Sequence, residues 1–183
     1  MRKLVYSAIT TLDGFVSNEF VEPWHDIHAY FNQSFDASDA VIFDQQNHEL
    51  LVPYWDDLDL DDPDVSSVER EFAVIFRTKR RFILDAGDRE LEDLATAIDS
   101  DAHVAIAALK EEPGSQLLLA TGPDLLAICL AHGLVDEIEV IINPIISGKG
   151  EPAFGVRDHT YALRLLGSQQ MEGGAILARY AVT

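Results

Sequence analysis

Basic residues are scarce in this chain. Thirteen lysines and arginines stand against 32 aspartates and glutamates, a formal net charge of −19 over 183 residues. Nucleic acids and anionic membranes are recognised by basic faces, so neither is an expected partner. Cysteine is scarcer still: Cys129 stands alone, which excludes an intrachain disulfide, and its apolar helical setting marks it as a packing residue. No apolar run approaches the ~20 residues of a membrane span. The opening MRKLVYSAIT has two positive charges and an apolar stretch, but Asp13-Gly14 interrupts it and no small-residue cleavage site follows. A soluble cytoplasmic protein is the expectation. Repeats, low-complexity tracts and linkers are also missing, and the length suits one domain, residues 1–183, with a full core.

What is present is an alternation of short buried strands with helices. Leu4 to Thr11 reads as a strand apolar on both faces, and Leu12-Asp13-Gly14 turns the chain. Trp24 to Phe35 has helical character, Ala40 to Phe43 is a second strand, and Gln45 to Leu51 is a helical segment. The acidic stretch Tyr54 to Asp64 reads as a solvated loop. A calcium loop starting at Asp57 would need glycine at Asp62 and glutamate at Val68, so calcium is not expected. Ser66 or Ser67 caps a helix to Thr78, Arg81 to Leu84 is a third strand, and Leu91 to Ile98 reads as helical turns. A helix over Ala102 to Lys110 ends at Pro113-Gly114, and Gln116 to Ala120 is a buried strand. Gly122-Pro123 opens a helix that Gly133 closes. Glu137 to Ile142 is the next strand, and Tyr161 to Leu166 with Ala175 to Val182 form a closing antiparallel hairpin around QQMEGG. The pattern predicts one α/β domain: a central mixed, mostly parallel sheet flanked by helices, with a C-terminal antiparallel hairpin.

Four stretches carry a resemblance. TLDGFVS after the first strand, LLLATGPDLL, HGLVDEIEVIINPIISGKGEPAF and the terminal strand with Arg179-Tyr180 resemble the dihydrofolate-reductase-like superfamily. The nearer branch is the C-terminal reductase domain of the bifunctional riboflavin-biosynthesis deaminase/reductase. The likeness spans nearly the whole chain, is strongest over Gly122 to Phe154 and weakest between Asp44 and Asp101. It implies a homodimeric oxidoreductase that uses NADPH on a small-molecule substrate, in type a 5-amino-6-(5-phosphoribosylamino)uracil reductase of riboflavin biosynthesis. A non-catalytic small-molecule binding or interaction protein on the same fold, with dinucleotide binding lost, is the alternative.

The resemblance also points to site residues. Asp13 corresponds to an acid beside nicotinamide and substrate, where it orients a hydroxyl or helps deliver a proton. As a turn residue it would instead bond its own backbone. Thr121, Gly122, Pro123, Asp124 and Leu125 form a strand-to-helix junction whose free N–H groups suit a pyrophosphate, although the Asp124 carboxylate would repel one. Gly148, Lys149 and Gly150 form a loop at the carboxyl end of the sheet, where open α/β sheets place ligands. A bulge serving geometry alone, with Lys149 in water, is the other reading. Where related reductases carry glycine, arginine and threonine after the second strand, this chain has Asp44, Gln45, Gln46 and Asn47, and the third strand ends in Asp85 to Asp88. A 2′-phosphate would face like charge there. The acids therefore favour NADH, whose 2′-hydroxyl a carboxylate can accept, or no dinucleotide at all. Convergence of Lys79, Arg80 or Lys149 on the crevice would restore NADPH. His25 and His28 have the spacing of two ligands on one helical face, but no third is in view, so no metal is expected. Trp24, Tyr30 and Phe31 are candidates for stacking a flat heterocycle or for ordinary core and dimer contacts.

Overall fold

A computed structural model describes residues 1–16, 25–87, 91–98, 101–155 and 159–183. It has eight strands and five α-helices among those residues: β1 (Lys3–Thr11), α1 (His25–Asp36), β2 (Ala40–Phe43), α2 (Gln45–Asp57), α3 (Ser67–Arg77), β3 (Arg80–Leu84), β4 (Ala95–Ile98), α4 (Ala102–Glu111), β5 (Gln116–Ala120), α5 (Pro123–Ala131), β6 (Glu137–Asn143), β7 (Leu163–Gln170) and β8 (Ile176–Val182). All strands join one sheet in the order β4-β3-β2-β5-β1-β6-β8-β7. The first six positions run parallel; β8 is antiparallel to β6, and β7 to β8. The α/β architecture expected from the sequence, a mostly parallel sheet closed by an antiparallel hairpin, is the one found.

Burial explains the layering. Along β6, Ile138 and Val140 face α4 and α5 together with Leu4, Tyr6, Leu117, Leu119 and Leu126. The other sheet face is covered by α1, α2 and α3, with Phe35, Phe72 and Phe76 over Val41, Phe43 and Leu118. Both faces of the parallel strands are therefore covered, as such strands require. Local chemistry sets the helix ends. Ser66 Oγ accepts from the Glu69 N–H while Glu69 accepts from the Ser66 N–H, a reciprocal cap that starts α3. Gly133, at φ +63, ends α5, and the Leu134 N–H donates back to the Cys129 carbonyl. Among the described residues, no helix is long and apolar enough to cross a membrane.

Two expectations are corrected. The helical turns read over Leu91 to Ile98 are instead an approach segment and β4, which pairs with β3 from Arg81↔Ala95 to Leu84↔Ile98. Arg81, bonded to Glu92 at 2.9 Å, and the Arg81 N–H on the Leu94 carbonyl pin that approach, so pairing overrides a helical composition. The loop read from Tyr54 begins late, because α2 runs on through Pro53 to Asp57. Arg77 of α3 donates to the carbonyls of Trp55 and Leu58 at 3.0 and 2.6 Å and satisfies the end of that helix. The hairpin stands as expected, but Gln169 and Gln170 belong to β7 rather than to its turn.

Candidate functional site

Three features meet at the carboxyl ends of β1, β5 and β6. The first is a clasp between two loops. Leu12 N–H donates to the Ile145 carbonyl, Val16 N–H to Glu151, and Ala153 N–H to Gly14, at 2.8, 2.8 and 2.9 Å. Asp13 closes it: its carboxylate accepts from the N–H groups of Ser147 and Gly148 at 3.2 and 2.8 Å. A hydrogen bond from the Thr11 side chain, then the one from Gly148, hold the Asp13 carboxyl down at about 2. At neutral pH Asp13 is therefore an ionised loop anchor that can accept a hydroxyl hydrogen bond. Gly148 and Gly150 adopt φ values of +65 and +131, and a Cβ on Gly150 would lie 3.2 Å from that of Phe15. Lys149 between them is exposed.

The second feature is the β5–α5 junction. Asp44 is the N-cap of α2, where Oδ1 accepts from the Asn47 N–H at 2.7 Å. Its other oxygen accepts from the Thr121 hydroxyl and the Gly122 N–H, both at 2.6 Å. Burial works to raise the Asp44 pKa, but the bonds from Thr121, Gly122 and Asn47 outweigh it, and the net shift is downward. Asp44 bridges the starts of two helices with both oxygens engaged. Gly122 gives α5 no side-chain cap and Pro123 has no N–H, which leaves the Asp124 and Leu125 N–H groups as the first-turn donors. Asp124 borders a second depression of about 440 Å³, shared with His132 and Tyr161. Asp85 follows β3 in an exposed, left-handed conformation at φ +55. Asp88 lies outside the described residues.

The third feature is a cavity of about 640 Å³ between the sheet and α1, α2 and α3. Ser7 to Ile9 of β1 and Ala120 to Gly122 form its floor, and Val16 and Glu151 of the clasp border it. Of its α2 wall, Leu50 and Leu51 fall in the helical segment read from the sequence, while Tyr54 and Trp55 escaped it because Pro53 and the acids after it read as loop. The spacing Leu51, Val52, Trp55 was the available signal, since it continues a helical period across Pro53. Of the aromatic candidates, Phe31 lines the cavity, Tyr30 packs beside it with ring centroids 5.9 Å apart, and Trp24 lies outside the described residues. His28 also lines it, edge-on to Trp55 at 6.0 Å, and burial lowers its pKa so the ring is neutral at pH 7. Among the described residues no group of three or more His, Cys, Asp or Glu could hold a metal.

Two of the three basic residues proposed to rescue a phosphate site, Lys79 and Arg80, do not gather here. Lys79 donates to the Asp36 and Ser38 carbonyls, and Arg80, at the start of β3, lies over the Phe82 ring and near Glu112. Both stand at the amino end of the parallel strands, opposite the cavity.

The family described as "RibD C-terminal domain" matches residues 2–177. An uncharacterized protein of Bacillus subtilis (strain 168), YyaP, is 24% identical over 182 residues, covering 98% of this chain and 94% of its own. Among solved structures, a putative riboflavin biosynthesis protein from Shewanella sp. PV-4 superposes with a TM-score of 0.69 at 16% identity, over 99% of each chain. The diaminohydroxyphosphoribosylaminopyrimidine deaminase/5-amino-6-(5-phosphoribosylamino)uracil reductase of Thermotoga maritima gives 0.70 at 14% identity, over 100% of this chain and 57% of that one.

Proposed function

Because the chain belongs to the RibD C-terminal domain family, we propose that it is a nicotinamide-dependent reductase of the type named for the Thermotoga maritima protein. The observation that carries this reading is the large cavity at the carboxyl ends of β1 and β5, flanked by the open first turn of α5. The N–H groups of Asp124 and Leu125 would hold a pyrophosphate. A nicotinamide, when bound, would supply a hydride to a carbonyl or imine carbon, whose oxygen or nitrogen would take its proton from water. Asp13 keeps the clasp closed and offers an anionic acceptor for a substrate hydroxyl. The residues present fit an unphosphorylated ribose better than a 2′-phosphate, since no described lysine or arginine lines the cavity. NADH is therefore the proposed cofactor over NADPH.

Asp44 favours a second reading. It already holds the Gly122 N–H and the Thr121 hydroxyl, donors that a pyrophosphate would otherwise use, and sets a negative charge beside them. A small-molecule binding protein without hydride chemistry accounts for that arrangement. Parallel titration with NADH and NADPH, followed through the fluorescence of Trp24 and Trp55, decides between the two. The reductase reading expects NADH to bind at least tenfold more tightly. If neither nucleotide binds at millimolar concentration, that reading fails and the binding-protein reading stands.

A second copy of the chain is the proposed partner. Edge strand β7 exposes Leu163, Leu165 and Leu166, the second of them 54% exposed, which is unusual for an isolated edge. Pairing of two β7 edges would cover these leucines and fits the homodimer expected from the resemblance.

A further inference from the structure

We propose that Glu139 of β6 is a proton-operated latch: protonated, it holds α1 against the sheet, and ionised, it lets that helix loosen. The register sets its position. Glu139 pairs with Ser7 of β1 on one side and with Arg179 of β8 on the other, so the three form one row across the sheet. Its neighbours Ile138 and Val140 face α4 and α5, which turns Glu139 to the opposite face, under α1. There the buried Ser34 hydroxyl stands 3.5 Å from the carboxyl group, and the enclosed Tyr30 hydroxyl faces it. Among the described residues no cation pairs with it directly. Lys3 is bound to Glu137, and the guanidinium of Arg179, an exposed side chain, lies beside Gly167 of β7.

These partners differ in kind from those of the other anchored acids. Asp13 and Asp44 each accept from two backbone N–H groups, which can only donate and so favour the ionised form. A hydroxyl donates to a carboxylate but also accepts from a carboxylic acid. Glu139 therefore keeps its partners when it holds a proton, whereas its half-buried charge has no paired cation to offset lost hydration. Burial pushes the Glu139 carboxyl above the ordinary range. Tyr30, Arg179 and Ser34 pull it down, and Glu137 on the same strand adds to the rise. Burial and Glu139 together push the Tyr30 hydroxyl up, so it stays neutral. The folded chain thus holds the Glu139 proton more firmly than the unfolded one. Its contribution to stability is complete below the ordinary value of 4.5 and is lost as the pH rises through the higher folded value. Asn32 ties α1 to α3 and Asp26 ties it to the β7–β8 turn, while Glu139 meets it from the middle of the sheet. Since Ile27, His28 and Phe31 of α1 line the cavity, loosening α1 moves a cavity wall. This inference concerns the chain without ligand and goes beyond the reductase reading.

The test is amide hydrogen exchange of the full chain between pH 5 and pH 8, expressed as protection factors so that the intrinsic pH dependence is removed. In the native chain the protection of α1 is expected to fall about tenfold as the pH rises, while that of α4 on the opposite face stays level. Glu139→Gln keeps the shape and both hydrogen-bonding roles without the charge, and should leave α1 protected throughout. Two charge variants move the transition in opposite directions. Arg179→Ala removes a cation that favours the ionised form and should raise the midpoint by about half a pH unit. Glu137→Gln removes a like charge and should lower it by about as much. This pair retains Glu139 and decides the matter even where the glutamine variant fails to fold. Level protection of α1 in the native chain overturns the proposal. So does a transition that survives Glu139→Gln, or one that the two charge variants leave in place or shift the same way.

Discussion

Removing the Asp44 carboxylate tests whether one side chain fastens both helix starts at the candidate site. In Asp44→Ala, α2 loses its N-cap bond to the Asn47 N–H, worth about 1 kcal/mol. The Thr121 hydroxyl and the Gly122 N–H lose a charged acceptor at 2.6 Å each, where such bonds contribute about 1.5–3 kcal/mol. Half-burial lets water replace part of this, so a net loss of about 3 kcal/mol is expected. The pH dependence follows from the sign of the shift. The folded pKa lies below the ordinary value of about 3.9, so the charge stabilises the fold fully above that value. This contribution disappears as the pH falls through the lower folded value. Urea unfolding of the native chain and the variant should therefore show the full gap at pH 7 and pH 5, and a narrower one near pH 3.5. A gap below about 1 kcal/mol at pH 7, or one of unchanged size in acid, would refute the assignment. The same variant frees the Gly122 N–H, so any dinucleotide affinity should rise with it; a fall would place Asp44 in contact with the cofactor after all.

Two further perturbations address the clasp and the edge. Gly150→Ala forces a side chain into φ +131 and against Phe15, and should cost about 2–3 kcal/mol in urea unfolding. Gly148→Ala, at φ +65 with open space around it, should cost about 1 kcal/mol; the reverse order would contradict the loop geometry. Leu165→Glu should convert the proposed dimer to a monomer in sedimentation while leaving the thermal midpoint nearly unchanged, because the side chain is exposed in the single chain. A native chain that is already monomeric at micromolar concentration removes the dimer proposal.

The elements that could be read from sequence are those whose evidence is local. Leu117-Leu118-Leu119 declares a buried strand, and Gly122-Pro123 with Gly133 brackets α5. Ser66 and Glu69 announce α3 within four residues. What escaped depends on partners far away in the chain. The second half of α2 is secured by Arg77, 22 residues beyond Trp55. The approach to β4 is fixed by Arg81, and Asp44 finds its meaning at Thr121, 77 positions later. Asp13 was legible as a turn acid, but its hold on Gly148 across 135 positions was not. The cavity was the least legible feature, since its walls come from separated elements that only the fold assembles.

Strand β1 lies between β5 and β6, so it takes a central place although both of its neighbours are made long after it. Lys3 pairs with Gln116, and Val5 with Glu137. At a translation rate of roughly 5–20 residues per second, β1 waits on the order of ten seconds for its second neighbour to be made. Until β5 is made both edges of this apolar strand are bare, and until β6 is made one of them still is, available to any other strand nearby. The hazard in making this protein is thus set by chain order: the centre of the sheet stays open until β6 is made, and Leu4 to Thr11 is the stretch that chaperones would have to shield.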